Sequence, residues 1–274
     1  MRAFLTQRAG MAGAVVLVVA GVVALVAPWL VPADALDVTR VGAAAWEPPG
    51  AQHWLGTDHT GRSVALLVVS GAGTSLFVGL TAAVLSVGIG TLVGITSGHF
   101  GGLAAGALLR VTDFFLVLPA LVLAIALSTV LPRGLGTIVL AIGLTSWPST
   151  ARMVRAQTLT IEARPFVERA RALGGGHLHV IGRHVVPSVV PLVLVNATLA
   201  VASSIVAEST LAFLGLGDPT RISWGAMLHQ AQLHGAVPQQ AWWFLLPPGV
   251  AIVVVVLAFT LVGRALEAVV TPKR

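Results

Sequence analysis

The sequence predicts an all-α membrane protein of about six transmembrane helices, and two observations carry that prediction. First, 56% of the 274 residues are hydrophobic and only 9% are charged, with a mean hydropathy of +0.93. A soluble domain carries roughly 25% charged residues because water must wet its surface. Here there are too few charges to cover one. Lipid is the alternative solvent, and in it only helices and closed barrels satisfy every backbone polar group internally. Second, the apolar runs are long and continuous rather than alternating, which selects helices over a barrel.

The first span is predicted from Met11 to Val31, uncharged throughout and preceded by Arg2 and Arg8. That start looks like a signal peptide, but the apolar run exceeds the usual 7–15 residues and no small-residue cleavage site is evident. It is read as a retained helix. A polar, Pro-containing segment with Asp34, Asp37, Arg40 and Glu47 reaches to about Gly61. The second span runs from about Gly73 to Thr96, where Gly79, Ser86, Gly88, Gly90 and Gly94 let helices approach closely in lipid. A turn at Gly98-His99-Phe100-Gly101-Gly102 follows. The third span covers Leu108–Leu131 and the fourth Thr137–Met153, with the charged stretch Arg152–Arg183 behind them. The fifth covers Pro187–Leu211 and the sixth Phe244–Val262, before the tail Pro272-Lys273-Arg274. The chain divides into an N-terminal helix with its polar segment (1–72) and a core (73–274), with an inner loop at 154–186 and an outer loop at 212–243.

Cysteine is absent, so disulfides and thiol sites are excluded. The net charge of +6 comes mostly from Arg residues scattered between spans, with no aromatic-interleaved basic patch for nucleic acid. With the N-terminus inside, only Arg40, Arg62, Arg133 and Arg221 of the 16 Lys and Arg residues fall outside. By the positive-inside bias, both termini are then cytoplasmic.

The most informative segment is Phe166-Val167-Glu168-Arg169-Ala170-Arg171-Ala172-Leu173-Gly174. At 100° per residue, Phe166, Ala170 and Leu173 share one face while Glu168, Arg169 and Arg171 point away. So short a helix is not stable alone in water, so its apolar face must dock on something. That partner is either a protein groove or an anionic lipid surface, which Arg164, Arg169 and Arg171 would suit. The Gly174-Gly175-Gly176 run ends the helix, and Pro187 opens the next span.

Glu168-Arg169-Ala170, then Gly174, then Val186-Pro187, resembles the "EAA" loop of binding-protein-dependent ABC importer permeases. Other stretches are similar to the C-type permease subunit of dipeptide, oligopeptide and nickel importers. These are His53-Trp54-Leu55-Gly56-Thr57-Asp58 with Gly61-Arg62, Arg110-x-x-Asp113 with Pro119, Leu211 to Gly217, Ser223-Trp224-Gly225, and Pro248 to Ile252. The resemblance spans most of the chain from His53 to Ile252. It departs from the family pattern at Gly73, Ala105, Arg169, Gly176 and Ser188, and in Gly263 to Glu267.

The resemblance implies a type I importer permease fold with a cytoplasmic coupling helix, in which Phe166, Val167, Glu168, Ala170, Leu173, Gly174 and Pro187 engage an ATPase. It further implies a homologous B-type permease, two ABC ATPase subunits that bind ATP and Mg, and an extracytoplasmic substrate-binding protein. The setting is a bacterial plasma membrane, and the cargo is dipeptides or oligopeptides. Nickel, an opine-like compound or haem are alternative cargoes for the same machinery.

Residue chemistry adds further expectations. Arg110 and Asp113, three apart on a helix, can pair. Glu208 is expected near the outer boundary, facing either the solute pathway or headgroup water, and Asn196 and Ser203 are further pathway candidates. Trp224, Trp242 and Trp243 suit an interfacial belt, although Trp224 in its loop also suits contact with a donor protein. His177, His179 and His184 lack a nearby carboxylate or Cys to complete a metal set. Ser203-Ser204 has no base partner for nucleophilic chemistry and suits helix packing. No phosphate-binding loop is present, so neither ATP binding nor an enzymatic activity is expected of this chain, which needs no cofactor of its own. The span centres are nearly uncharged, which disfavours an ion-gradient-driven secondary transporter.

Overall fold

Helices form wherever the sequence is continuously apolar, because no other backbone arrangement satisfies its own donors and acceptors in lipid. In a computed structural model, which describes residues 7–40 and 42–270, the spans are α1 (Arg8–Leu30), α3 (Val64–His99), α6 (Leu135–Glu162), α9 (Val186–Phe213) and α11 (Trp242–Val270). A bent pair, α4 (Gly102–Val117) and α5 (Ala120–Val130), lies between α3 and α6. Short helices connect them: α2 (Ala33–Leu36), α7 (Pro165–Ala172), α8 (His177–Val180) and α10 (Trp224–Leu233). Arg2, Pro272, Lys273 and Arg274 lie outside the described residues.

Among the described residues four helices are long and apolar enough to cross a membrane, and five are if the bent pair counts as one. Six is reached only by adding α6, whose 28 residues are long enough but end in a polar stretch. The third expected span is not one straight helix. It breaks at Leu118-Pro119 into two arms bent by 90°. Pro119 has no N–H to continue the ladder, and its ring forces Leu118 into an extended conformation (φ −85°, ψ 132°). A second proline has a different outcome. Ahead of Pro187 the chain widens into a π-turn over Ile181–Val185, in which the Val186 N–H donates to the Ile181 carbonyl. The added residue makes room for the proline ring, so α8, the π-turn and α9 continue as one rod.

The most extensive contact joins α3 to α6. Gly90, Gly94 and Gly98 recur every four residues along one stripe of α3. A Cβ at Gly90 would lie 2.7 Å from the Trp147 carbonyl oxygen, and one at Gly94 would lie 2.7 Å from that of Ala151. A Cβ at Gly98 would meet the Thr158 side chain at 2.8 Å. Gly79 makes the same kind of approach to Ile205 of α9, whereas Gly88 faces open space and takes no part. Packing is the main force between helices in lipid, where no water is expelled, so these backbone approaches carry much of the association. α9 and α11 pack beside α3, and α1 lies across α11 and α3 with Val15, Val18, Val22 and Trp29 facing outward.

The bundle has two chemically distinct ends. One carries Arg152 to Arg183 and is termed the basic end. The far end carries residues 42–63 and α10. There Gly56 has φ +66°, and any side chain would strike the Glu47 carbonyl and Trp243. Asp58 is fully buried. Its carboxylate accepts from the N–H groups of Thr60 and Arg62, the Thr60 hydroxyl and the Arg62 guanidinium. Burial raises its pKa, but these bonds outweigh that and hold it below the usual carboxylate range.

The glycine seam is tested by thermal unfolding in detergent or nanodiscs. Gly94→Val overpacks a backbone contact and destabilises the protein by about 1–3 kcal/mol. Gly88→Ala, into open space, leaves the midpoint unchanged or slightly raised.

Candidate functional site

The short helix α7 sits at the basic end, between the C-terminus of α6 and the start of α8. Pro165 occupies its first turn, where a missing N–H is harmless, and Arg164 ahead of it is extended. Glu168 lies in the first turn and Arg169 and Arg171 in the last, each on the side that the helix dipole favours. At its end the Gly175 N–H donates to the Ala170 carbonyl and the Gly174 N–H to that of Arg171, with Gly174 at φ +87°. This is a Schellman termination, and it needs glycine at position 174.

Val167 is completely buried among Ile95 of α3, Val154 and Ile161 of α6, and Val180, Val185 and Val189. This corrects the expectation that it belongs to the engaging surface: Val167 holds α7 to its own bundle. Phe166 and Leu173 point outward, 45% and 89% exposed, and Leu178 beyond the glycines is 87% exposed. Glu168 is also exposed, Ala170 is half-buried, and Pro187 is exposed at the start of α9. The helix is therefore fixed on one side and presents an apolar, charged-rimmed surface on the other.

Two residues that sequence reasoning passed over complete this end. His99, the last residue of α3, bonds through Nδ1 to Glu162, the last residue of α6. Its Nε2 lies 2.9 Å from Nδ1 of His177. The other oxygen of Glu162 accepts from Arg171 of α7. A signal was available: a carboxylate at a helix C-terminus opposes the dipole and needs cationic or N–H partners nearby. Among the described residues no cluster of three or more His, Asp or Glu is arranged to hold a metal ion.

Several expectations are corrected. Asp113 pairs with Arg152 of α6 at 2.9 Å, not with Arg110. Glu208 does not reach headgroup water but is enclosed within the bundle. It is 1% exposed, and the hydroxyls of Ser75 and Ser209 donate to it at 3.2 and 3.3 Å. Ser75 Oγ in turn accepts from the Trp224 N–H, so the carboxylate links α9 and α3 to the start of α10. Trp224 itself is buried and donates to the Val68 carbonyl, which excludes both a belt position and contact with a donor protein. Asn196 donates to Thr150 Oγ1 across α9 and α6, and Ser203 is exposed. The three pathway candidates are not brought to one wall.

At the far end a cavity of about 540 Å³ is lined by His59, Arg62, Arg133, Asp218, Arg221 and Gln230, among others. Asp218 is held below the usual carboxylate range, chiefly by the Thr220 hydroxyl. His59 is pushed down by burial.

Residues 90–274 match the family of binding-protein-dependent transport system inner membrane components. The chain belongs to that family. Its first 49 residues match the N-terminal transmembrane domain of oligopeptide transport permease C, in agreement with the C-type resemblance. A protein of Brucella suis biovar 1 named as a peptide transport system permease is 36% identical over 273 residues, 99% of this chain and 90% of its own length. The glutathione transport system permease protein GsiD of Escherichia coli O6:K15:H31 is 34% identical over 276 residues, 99% and 89% of the two chains. Membership makes the chain a multi-pass transport permease component rather than a catalytic subunit. It also gives α7 a context: this helix, with its exposed Phe166 and Leu173, corresponds to the loop on which the resemblance was read.

Two predictions follow from burial. Val167→Ala destabilises the basic end by on the order of 2 kcal/mol, whereas Phe166→Ala and Leu173→Ala leave the unfolding midpoint of the isolated chain within a degree or so. Glu208→Ala strands two buried hydroxyls, costing about 1–3 kcal/mol. Glu208→Gln keeps an acceptor and loses less, as a paired thermal-shift measurement will read.

Proposed function

We propose that the chain is the C-type permease of an ATP-driven importer that carries dipeptides or oligopeptides across a bacterial plasma membrane. A homologous B-type permease supplies the other half of the pathway, and membrane lipid surrounds both. Two ABC ATPase subunits, which bind ATP and Mg, dock at the basic end, and a substrate-binding protein delivers cargo at the far end. Both termini are then cytoplasmic. The peptide cargo rests on the printed names of the relatives, including peptide and glutathione permeases.

One observation carries the mechanism: α7 is anchored through buried Val167 yet leaves Phe166 and Leu173 bare. A short helix with one side fixed and one apolar side open is suited to being gripped by a partner, and anchoring lets the grip be felt by α3 and α6. ATPase closure can shift an outward–inward equilibrium only through contacts that differ between the two states. The exposed side of α7 supplies such contacts. Rigid-body rocking of the two permease halves then alternates access. Glu208, being buried, supports the frame. Asn196 and Ser203 are the remaining pathway candidates on α9.

The test is peptide uptake and ATP hydrolysis in proteoliposomes holding the whole complex. Glu168→Arg reverses charge on the engaging side, and Gly174→Asp places a side chain at φ +87°. Each is expected to lower uptake per ATP by about tenfold, a loss of roughly 1.4 kcal/mol of coupling, while assembly persists. Uptake that survives without ATP and collapses with the proton gradient would overturn the reading.

A further inference from the structure

The exposed side of α7 explains how a partner could hold it, but not what fixes its direction relative to the membrane helices. A valine in an apolar pocket is a non-directional attachment, since burial depends on area rather than angle. Direction comes instead from the polar chain beside it. We propose that His99, Glu162 and His177, with Arg171, are positioning residues that clasp α7 and α8 to the ends of α3 and α6, so that the loop and both helices turn as one body. The proposal rests on the importer reading for its consequence, though not for its geometry.

The hydrogen-bond logic fixes the carboxylate end of the chain. Both Glu162 oxygens accept, one from Arg171 on α7 and the other from His99 on α3. His99 therefore donates from Nδ1, and its Nε2 shares a second hydrogen bond with Nδ1 of His177, 2.9 Å away. The His99 side chain is fully buried and that of Glu162 is 12% exposed. Phe100 packs edge-on to His99 at 4.8 Å and lies 5.3 Å from His177, covering the buried His99 end of the chain. The Glu162 carboxylate thus joins α6 to α3 and α7 directly, and α8 is added through His99. Bonds of this kind in a partly dry site resist rotation in a way that apolar contact does not.

The same logic yields a discriminating variant. In Glu162→Gln the amide keeps one acceptor for Arg171 and turns a donor toward His99. His99 can then accept on Nδ1 and donate from Nε2 to His177, so the chain stays complete. Glu162→Ala has no such option.

The experiment uses the assembled complex in nanodiscs and proteoliposomes, with two readouts: amide hydrogen exchange over residues 164–176, and peptide uptake per ATP hydrolysed. Glu162→Ala is expected to speed exchange in that segment by about tenfold and cut uptake per ATP by about fivefold, while Glu162→Gln stays within about twofold of wild type in both. If Glu162→Ala does not assemble, His177→Ala removes one link from an exposed position and is expected to change both readouts by about threefold. Unchanged exchange, a Gln variant that behaves like Ala, or faster exchange with unaltered uptake per ATP would each overturn the proposal. A wild-type complex without ATP-driven uptake would instead defeat the importer reading, and exchange would still report on the clasp.

Discussion

The close contact of α3 with α6 sets the register of everything at the basic end. Gly90, Gly94 and Gly98 bring the α3 backbone against the Trp147 and Ala151 carbonyls and the Thr158 side chain. Any side chain on that stripe would separate the helices or slide one along the other. The seam finishes one residue before His99 and one turn before Glu162, which places the two final residues of these helices opposite each other. A shift by a single residue would rotate either group by about 100° and take it out of reach. In lipid, where apolar surface gains nothing from leaving water, small-residue packing is the available way to fix such a register.

The two ends of the bundle solve opposite problems. The far end must fold residues 42–63 and α10 without a continuous apolar run. It does so around buried acids: Asp58 gathers three N–H or O–H groups and the Arg62 guanidinium, and Glu208 joins Ser75 and Ser209 while Ser75 holds the Trp224 N–H. Trp224 and Trp243 reinforce this with indole bonds to the Val68 and Thr57 carbonyls. Trp54, Leu55, Leu214, Leu233, Val237 and Trp242 nevertheless project there. The basic end leaves Phe166, Leu173 and Leu178 uncovered on a loop that also carries Arg164, Arg169 and Arg171. Bare apolar side chains on a polar loop mark a surface made to be covered.

Spans with continuous hydropathy were legible in the sequence, because lipid solvation constrains every residue in them. Helix α3 was foreseen as Gly73–Thr96 and runs Val64–His99, since it projects past the apolar run at both ends. The break at Pro119 was less legible: hydropathy is continuous across Leu118 and Pro119, and only backbone sterics divide them. Periodicity placed Phe166 and Leu173 on one face of α7, as found, but could not say that Val167 faces inward, because eight residues do not define which side a bundle occupies. The partners of Arg152 and Glu162 were invisible for a different reason. Both meet residues far away in the chain, at Asp113 and His99, and spacing rules see only neighbours within a turn. Glu208 was noticed as a charge in an apolar span, but of its hydroxyl partners only Ser209 is a sequence neighbour, and Ser75 lies on α3.

A loop that transmits force must be neither free nor absorbed. Were α7 held only by its ends, a partner's movement would be lost in rotation about Arg164 and Gly174, whose backbone conformations already differ from the helix. Were it buried on both sides, no partner could reach it. The structure sits between these limits, with one valine inside, one phenylalanine and one leucine outside, and a carboxylate tying the edge to α3 and α6. The continuous rod of α8, the π-turn and α9 adds a third connection into the membrane, since Val180 and Val185 share the pocket of Val167. Displacement of α7 therefore acts on three long helices at once, and rigid-body motion of the bundle follows from how they are joined rather than from any one hinge.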